Sequence, residues 1–455
     1  MSMKIISVAD IEGFKLGNAE NSEKGTGCTV IVCEEGAVGG VDVRGGGPAT
    51  RETDLLRSEN TVNSVNAVVL SGGSAFGLEA ASGVMRELAD RGVGFHMGKD
   101  ITIPIVCGAS LYDLEVGDPT AFPDVNMGMV AVRNAYDGLF MHGNHGAGTG
   151  ATVGKFVGHD RAMKTGLGTF ACGDGFVEVG AVVAVNALGD IYNGAGNIIA
   201  GLRSEDGASI YGTIKTLKGM VHDNTVTVDD ATSFINRSDI EEALAAIEAR
   251  DETEEKTDLL DQLESEPSYD PEPAEPAETF EPDTLPEEEQ AEEPAEEPLD
   301  AAYTDEISVP EAAIQEETEA AEESDETFEA AETEPAEEPA EEAHRELTPE
   351  EMGYDIAFNT TISCLITNAD LTKSQANKLA SILHDAYARA IKPVHGTLDG
   401  DTVFVLASGK QKVNFDAFAA LATDVMQYAI IDGATSAKGA YGLPAARDIK
   451  KPETE

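Results

Sequence analysis

The hydroxyl of Thr360, in the run Phe358-Asn359-Thr360-Thr361-Ile362, stands where a chain could cut itself. A long acidic low-complexity tract ends just before it, and an apolar, strand-like stretch (Ile362 to Ile366) begins just after it. Hydrolysis of the Asn359–Thr360 bond would leave Thr360 as a new N-terminus. A free α-amine titrates near pH ~8, so it can serve as base for its own hydroxyl. Two acids downstream, in Asp399-Gly400-Asp401, could orient that amine. Asp-Gly is also ordinary turn chemistry, and read alone the triplet is better taken as a turn between helix and strand. Together these residues predict an enzyme precursor.

The elements that must position them are legible in outline. Thr26 to Val32 and Ala37 to Val43 read as two strands, with Gly39-Gly40 as a bulge signal. Gly45-Gly46-Gly47-Pro48 is a tight loop, and Asn66 to Leu70 a short buried strand. Gly72-Gly73-Ser74 turns into a helix from Ala75 to Arg91, with Leu78, Ala81, Met85 and Leu88 at helical spacing. A second helix is expected over residues 125–135. The glycine run Gly143 to Gly154 follows, then strands at Gly166 to Cys172 and Phe176 to Val185. Residues 186–235 are turn-rich, and Ser238 to Arg250 has helical character. After Thr360 the pattern is strand, helix (Lys373 to Ile391), strand (Thr402 to Ala407) and helix (Phe415 to Ile431). These alternations predict a layered α/β protein with sheet packed on sheet and helices outside.

Charge divides the chain of 455 residues, whose net charge is -55. Residues 251–350 hold 41 acidic and two basic residues, 12 of the 19 prolines and no glycine. Such a segment cannot bury enough apolar surface to offset its ordering entropy, so it is expected to be disordered. The expected organisation is residues 1–235, an acidic insertion over 236–350, and residues 351–455 completing the same domain. Clustered Lys and Arg are lacking, which argues against nucleic acid as a partner. No run approaches the ~18 apolar residues of a membrane span, and the start lacks a secretory h-region. The five cysteines (Cys28, Cys33, Cys107, Cys172, Cys364) are spaced singly, which suits a reducing cytoplasm.

Other motifs yield to plainer readings. The run Gly146 to Lys155 lacks the spacing of a phosphate loop, and Phe156 stands where the metal-binding Ser/Thr is needed. It reads better as a loop whose backbone approaches an active site, with Lys155 as its one charge. His142 and His145 have no further ligands at zinc-like spacing. Ser74 is followed by Phe76 where a nucleophile elbow needs glycine. No metal or cofactor is expected.

Six ordered stretches resemble one family, the DmpA-type group of L-aminopeptidases/D-esterases, β-peptidyl aminopeptidases and nylon-oligomer endo-hydrolases. They are Val41 to Leu56, Leu70 to Leu78, Gly148 to Lys155, Val183 to Asp190, Asn359 to Ile362, and Pro393-Val394-His395 with Asp399 to Thr402. The resemblance implies an αββα sandwich related in architecture to N-terminal-nucleophile hydrolases. It implies a self-cut between Asn359 and Thr360, giving chains 1–359 and 360–455 that stay together as an αβ unit, often in a higher homo-oligomer. Thr360 would then be the nucleophile toward a small peptide or amide. Asn186 would help hold the oxyanion, and Asp399 and Asp401 would sit beside the amine. Tyr112 and Lys155 would line the substrate pocket. Asp399 and Asp401 stand where aminopeptidase members carry Ser and Glu, closer to the nylon-oligomer pattern. An acyltransferase of the ornithine-acetyltransferase type shares the self-cut Thr strategy, and a non-catalytic acidic-tailed scaffold is the alternative outside enzymes.

Overall fold

The computed structural model describes residues 3–98, 101–219 and 359–449. The acidic insertion and the helix expected at Ser238 to Arg250 lie outside the described residues. Eight strands carry the architecture: β1 (Lys15–Asn21), β2 (Thr26–Val43), β3 (Val65–Ser71), β4 (Val106–Ser110), β5 (Leu167–Gly173), β6 (Glu178–Ala184), β7 (Ile362–Ala369) and β8 (Thr402–Gln411). Four helices cover them: α1 (Ala80–Asp90), α2 (Val125–Tyr136), α3 (Lys373–Ala390) and α4 (Phe415–Thr435).

Strand alternation sorts the side chains into layers. Along β8, Val403 and Val405 face α3 and α4, while Phe404 and Leu406 face the other sheet. Along β6, Ala181 and Val183 face the helices and Val182 and Ala184 the other sheet. On β2 and β3, Val30, Val32, Ala67 and Val69 pack under α1 and α2, with Ile31, Val68 and Leu70 turned inward. The period of two thus builds helix, sheet, sheet, helix. The architecture is the expected αββα sandwich. Removing Phe404, wholly buried between the sheets, would cost ~3–5 kcal/mol.

The two strands expected over 26–43 are a single strand, β2, that serves both sheets. Its first part pairs with β1 and β3, and its second part, Val38 to Val43, pairs with β8. The register break falls between Val32 and Ala37, not at Gly39-Gly40. Those glycines answer a different need. A Cβ on Gly40 would lie 2.3 Å from the backbone of Ala376, so the glycine lets α3 lie directly on the strand. The helix expected from Ala75 begins as a 3-10 segment, Ser74–Glu79, and becomes α-helical only at Ala80. The turn-rich region beyond Asn186 holds two short strands, Asp190–Tyr192 and Ile198–Ala200, and the helix Thr213–Gly219.

Candidate active site

Four neighbouring strands bring their ends together at one end of the sheet that carries β7. Ile362, which opens β7, pairs with Thr402, which opens β8. Thr402 pairs with Val43, where β2 ends, and Ile362 pairs with Ala184, where β6 ends. Register therefore gathers the residues just beyond these ends: Arg44 to Pro48, Asn186, Asn359-Thr360 and the loop from His395 to Asp401. The sequence-predicted residues Thr360, Asn186, Asp399 and Asp401 fall in this one cluster, and all four are buried.

Thr360 donates its backbone N–H to the Asn186 carbonyl oxygen at 2.8 Å. Its hydroxyl hydrogen-bonds to the carbonyl oxygen of Asn359, the carbonyl of the bond in question. That same oxygen accepts the Gly400 backbone N–H at 2.9 Å. A Cβ on residue 400 would stand 2.6 Å from Thr360 Oγ1, so glycine is what allows this approach. A donor already aimed at a carbonyl oxygen is placed to stabilise charge that would develop there on attack.

The two acids have opposite surroundings. Asp401 accepts the Thr361 backbone N–H on Oδ1 at 2.8 Å. Its Oδ2 accepts the His395 backbone N–H at 3.0 Å and lies 2.9 Å from His395 Nδ1. Asp399 accepts the Gly396 backbone N–H at 2.6 Å. Burial and the neighbouring Asp401 charge push its carboxyl up to about 7. Paired acids in contrasting environments are how sites give two carboxyls different roles.

Lys155 enters from the glycine run. Its buried Nζ donates to Asn186 Oδ1 at 2.8 Å, and the Thr152 backbone N–H donates to the same oxygen at 3.0 Å. On the far side, Asn186 Nδ2 donates to the Tyr112 carbonyl oxygen at 2.9 Å. Two donors on one side and an acceptor on the other fix which end of the amide points where. Burial pulls the Lys155 ammonium down to about 7, opposed by the charges of Glu115, Asp399 and Asp113. The Tyr112 hydroxyl turns to Glu115 Oε1 at 3.2 Å. Burial first, then Glu115, pushes its phenol upward. In this arrangement the Gly400 N–H joins the Thr360 hydroxyl on the Asn359 carbonyl, while the Asn186 amide spends one N–H on Tyr112 and has a second.

Three residues here escaped sequence reasoning. Lys164 is fully buried, and its Nζ donates to the carbonyls of Gly148 and Ala151 at 3.0 Å each and to that of Thr165. Buried Asp113 accepts from Thr26 Oγ1 at 2.9 Å and from the Gly73 N–H at 2.6 Å. His395 lay inside a recognised motif without a role; only its position six residues before Asp401 hinted at one. His142 and His145 turn to separate carboxylates, Asp432 at 2.7 Å and Glu20 at 2.8 Å. A cavity of about 690 Å³ near His145, Asn18 and Met127 contains none of the clustered residues. Its lining belongs to the α2 side of the molecule.

Known proteins share this arrangement of chain. The model of Peptidase family S58 matches residues 7–231 and 301–445. The chain belongs to Peptidase family S58. As a member it is a hydrolase acting on amide bonds. An uncharacterized aminopeptidase of Mycobacterium leprae is 39% identical over 211 residues, spanning 43% of this chain and 56% of that protein. An uncharacterized aminopeptidase of Mycobacterium tuberculosis (strain ATCC 25618 / H37Rv) is 28% identical over 97% of both chains. A 6-aminohexanoate-oligomer endohydrolase of Paenarthrobacter ureafaciens is 35% identical over 42% of this chain and 51% of its own length. Among solved structures, a Burkholderia sp. beta-aminopeptidase aligns with a TM-score of 0.50 at 14% identity, covering 96% of this chain and 89% of that one. The L-aminopeptidase D-Ala-esterase/amidase of Ochrobactrum anthropi, described as a variant of the Ntn hydrolase fold, aligns with a TM-score of 0.50 at 14% identity, over 96% and 90%. The S58 chain thus has the DmpA-type Ntn hydrolase fold. Among its described residues, no helix is long and apolar enough to cross a membrane.

Proposed function

We propose that this S58 hydrolase is made as a precursor, cuts itself between Asn359 and Thr360, and then uses Thr360 as an N-terminal nucleophile. The observation that carries this reading is the Thr360 hydroxyl seated on the Asn359 carbonyl, with the Gly400 N–H on the same oxygen. In the first step Thr360 Oγ attacks the Asn359 carbonyl carbon and gives up its proton. The acceptor assigned to that proton is Lys155, a buried amine held near neutral by burial and bonded to the side chain of Asn186, whose carbonyl holds the Thr360 N–H. The C–N bond breaks, the released amine takes up a proton, and an Asn359–Thr360 ester remains. Water hydrolyses the ester, leaving the Asn359 carboxylate and a free Thr360 amine.

In the mature enzyme the amine relays the proton as Thr360 Oγ attacks a substrate amide. The acyl group passes to Thr360, the amine of the product leaves, and water releases the acid. The Asn186 carbonyl holds the Thr360 nitrogen, and its second amide N–H joins the Gly400 N–H at the substrate oxyanion. Asp401 fixes the strand entrance through Thr361, and Asp399 lies beside the amine. Tyr112 and Lys155 border the substrate. The relatives' names suggest small peptides or aminohexanoate-type amides as the substrate class. The two chains would remain one αβ unit and assemble further. Five free, buried thiols suit a cytoplasmic setting.

The test is a denaturing gel with N-terminal sequencing of the purified protein, then turnover of amino-acid p-nitroanilides and aminohexanoate oligomers. Two fragments are expected, the smaller beginning at Thr360. Thr360→Ala should remain one chain without activity, since both steps need the same hydroxyl. An intact wild-type chain that hydrolyses amides would end the self-processing reading. Transfer of the acyl group to an amine in preference to water would favour the acyltransferase.

A further inference from the structure

Among the described residues, the ring of His395 is the one aromatic side chain hydrogen-bonded to either acid at the site, and the proposed reaction does not use it. It sits on the loop between α3 and β8, with φ at +58°, in the left-handed region that His and Asn tolerate better than most residues. That backbone turn lets one residue reach a single carboxylate oxygen twice. The His395 backbone N–H is 3.0 Å from Asp401 Oδ2, and its ring Nδ1 is 2.9 Å from the same atom. Asp401 Oδ1, in turn, holds the N–H of Thr361, the residue next to the nucleophile.

The environment of the ring fixes its use. From α3, His384 meets it edge-on with centroids 4.6 Å apart, and Tyr387 stacks on it at 6.0 Å. Both neighbours are neutral: burial lowers His384 to about 4, and burial keeps the Tyr387 phenol protonated. Tyr387 also donates its hydroxyl to Ser363 Oγ at 2.8 Å, which ties it to β7. His395 Nε2 is buried and has no hydrogen-bond partner among the described residues. A carboxylate only accepts, so Nδ1 must carry the proton in the Asp401 bond. Nε2 faces the rings of α3. The other charges near the pair are Asp399, which feels His395, and Asp42 and Arg44, which lie toward His384.

We propose that His395 is the positioning residue of the site: its Nδ1–H locks the Asp401 carboxylate, and Asp401 locks Thr361 so that the Thr360 hydroxyl faces the carbonyl it attacks. The chain of contacts runs from the α3 rings through His395 and Asp401 to the residue after the nucleophile. This rests on the reading of Thr360 as nucleophile and adds the group that sets its aim. His395 touches no reacting atom. Its loss should slow the self-cut and lower kcat, with little change in KM.

The test uses the full chain with three substitutions. His395→Gly keeps the +58° turn and the backbone N–H but removes the ring. His395→Asn tolerates the same turn and replaces Nδ1–H with an amide N–H at similar reach. Asp401→Asn is the reference for the acid itself. Processing half-time, kcat, KM and melting temperature are measured for each. His395→Gly is expected to slow processing and lower kcat about 10- to 100-fold, the range for losing a bond to a charged group. His395→Asn is expected to recover most of that loss at an equal melting temperature. Equal defects in the Gly and Asn variants, tracking their melting temperatures, would make the ring mere packing and overturn the inference. Wild-type rates in His395→Gly alongside an inactive Asp401→Asn would overturn it too, while leaving the nucleophile reading intact. If Asp401→Asn itself processes and turns over normally, the role of Asp401 in the reading fails first and takes the inference with it.

Discussion

Lys155 and Lys164 are nine residues apart on the two sides of one loop, and burial pulls both ammonium groups down to about 7. Their partners differ in kind. Lys164 spends its protons on three main-chain carbonyls, of Gly148, Ala151 and Thr165, and so pins the glycine run in place. Lys155 meets one side-chain oxygen, that of Asn186, whose own carbonyl holds the Thr360 nitrogen. An ammonium has three donors; the first lysine has filled them with immovable backbone, while the second has donors to offer an incoming group. A perturbed lysine therefore reports burial, and only its partners tell structure from chemistry.

The comparison breaks most sharply at Lys155. Lys155→Met should slow both self-cleavage and turnover by about 10²–10³, the span for losing a positioned proton-transfer group, with a melting temperature near that of the parent. Stopped-time gels and steady-state kinetics measure both. A fall in melting temperature equal to that of the Lys164 variant would erase the distinction between the two lysines.

Lys164→Met should do the reverse. Three buried carbonyls lose their donor, and the expected cost is ~3 kcal/mol of stability. Denaturant unfolding in a Thr360→Ala background, where the chain stays whole, reads this directly. Kinetics of whatever fraction folds should be close to normal. A large drop in kcat with unchanged stability would mean that Lys164 also serves the chemistry.

Gly400→Ala tests the backbone donor on the other side of the bond. Its Cβ would crowd Thr360 Oγ1 and shift the N–H away from the Asn359 oxygen. Losing part of one oxyanion contact should slow the cut by roughly 10- to 100-fold, measured as the half-time of precursor loss. An unchanged half-time would take the Gly400 N–H out of the mechanism.

These contrasts also mark where sequence reading reached and stopped. The alternation Val403-Phe404-Val405-Leu406 sorts itself into two layers by period alone, and the structure follows it. Thr360 stood out at its junction, while Asn186, Asp399 and Asp401 were named through the family resemblance, each in a short ordered motif beside a strand end; read alone, Asp399-Gly400-Asp401 is a turn. The cluster they form required register, which local pattern does not carry. Lys164 was invisible for a related reason: its partners are carbonyls, and every residue has one. Gly39-Gly40 was misread because a bulge and a close helix approach leave the same mark in sequence. The backbone of Ala376, far along the chain, decides between them.

The smallest expected effect concerns Asp399, whose carboxyl is raised to about 7 by burial and by Asp401. In the unfolded chain it loses its proton near pH ~4. Between these values the folded protein binds more protons than the unfolded one, so stability falls as pH rises through that window and levels off above it. Asp399→Asn has no such proton. In a Thr360→Ala background, the variant should gain on its parent steadily from pH 4 to pH 7 and then hold a constant lead. A Lys155→Met change carried in both proteins removes the lysine that feels Asp399; Asp113 and Asp190, raised to about 6 by burial, and Lys164 then titrate alike in both and cancel from the difference. The lead should be on the order of 1–2 kcal/mol, because neighbouring groups relax around a newly charged carboxylate. Melting curves at half-unit pH steps give the shape. A lead that is flat across pH 4 to 7 would mean that Asp399 ionises normally in the folded chain, with neither burial nor the charge of Asp401 holding its proton.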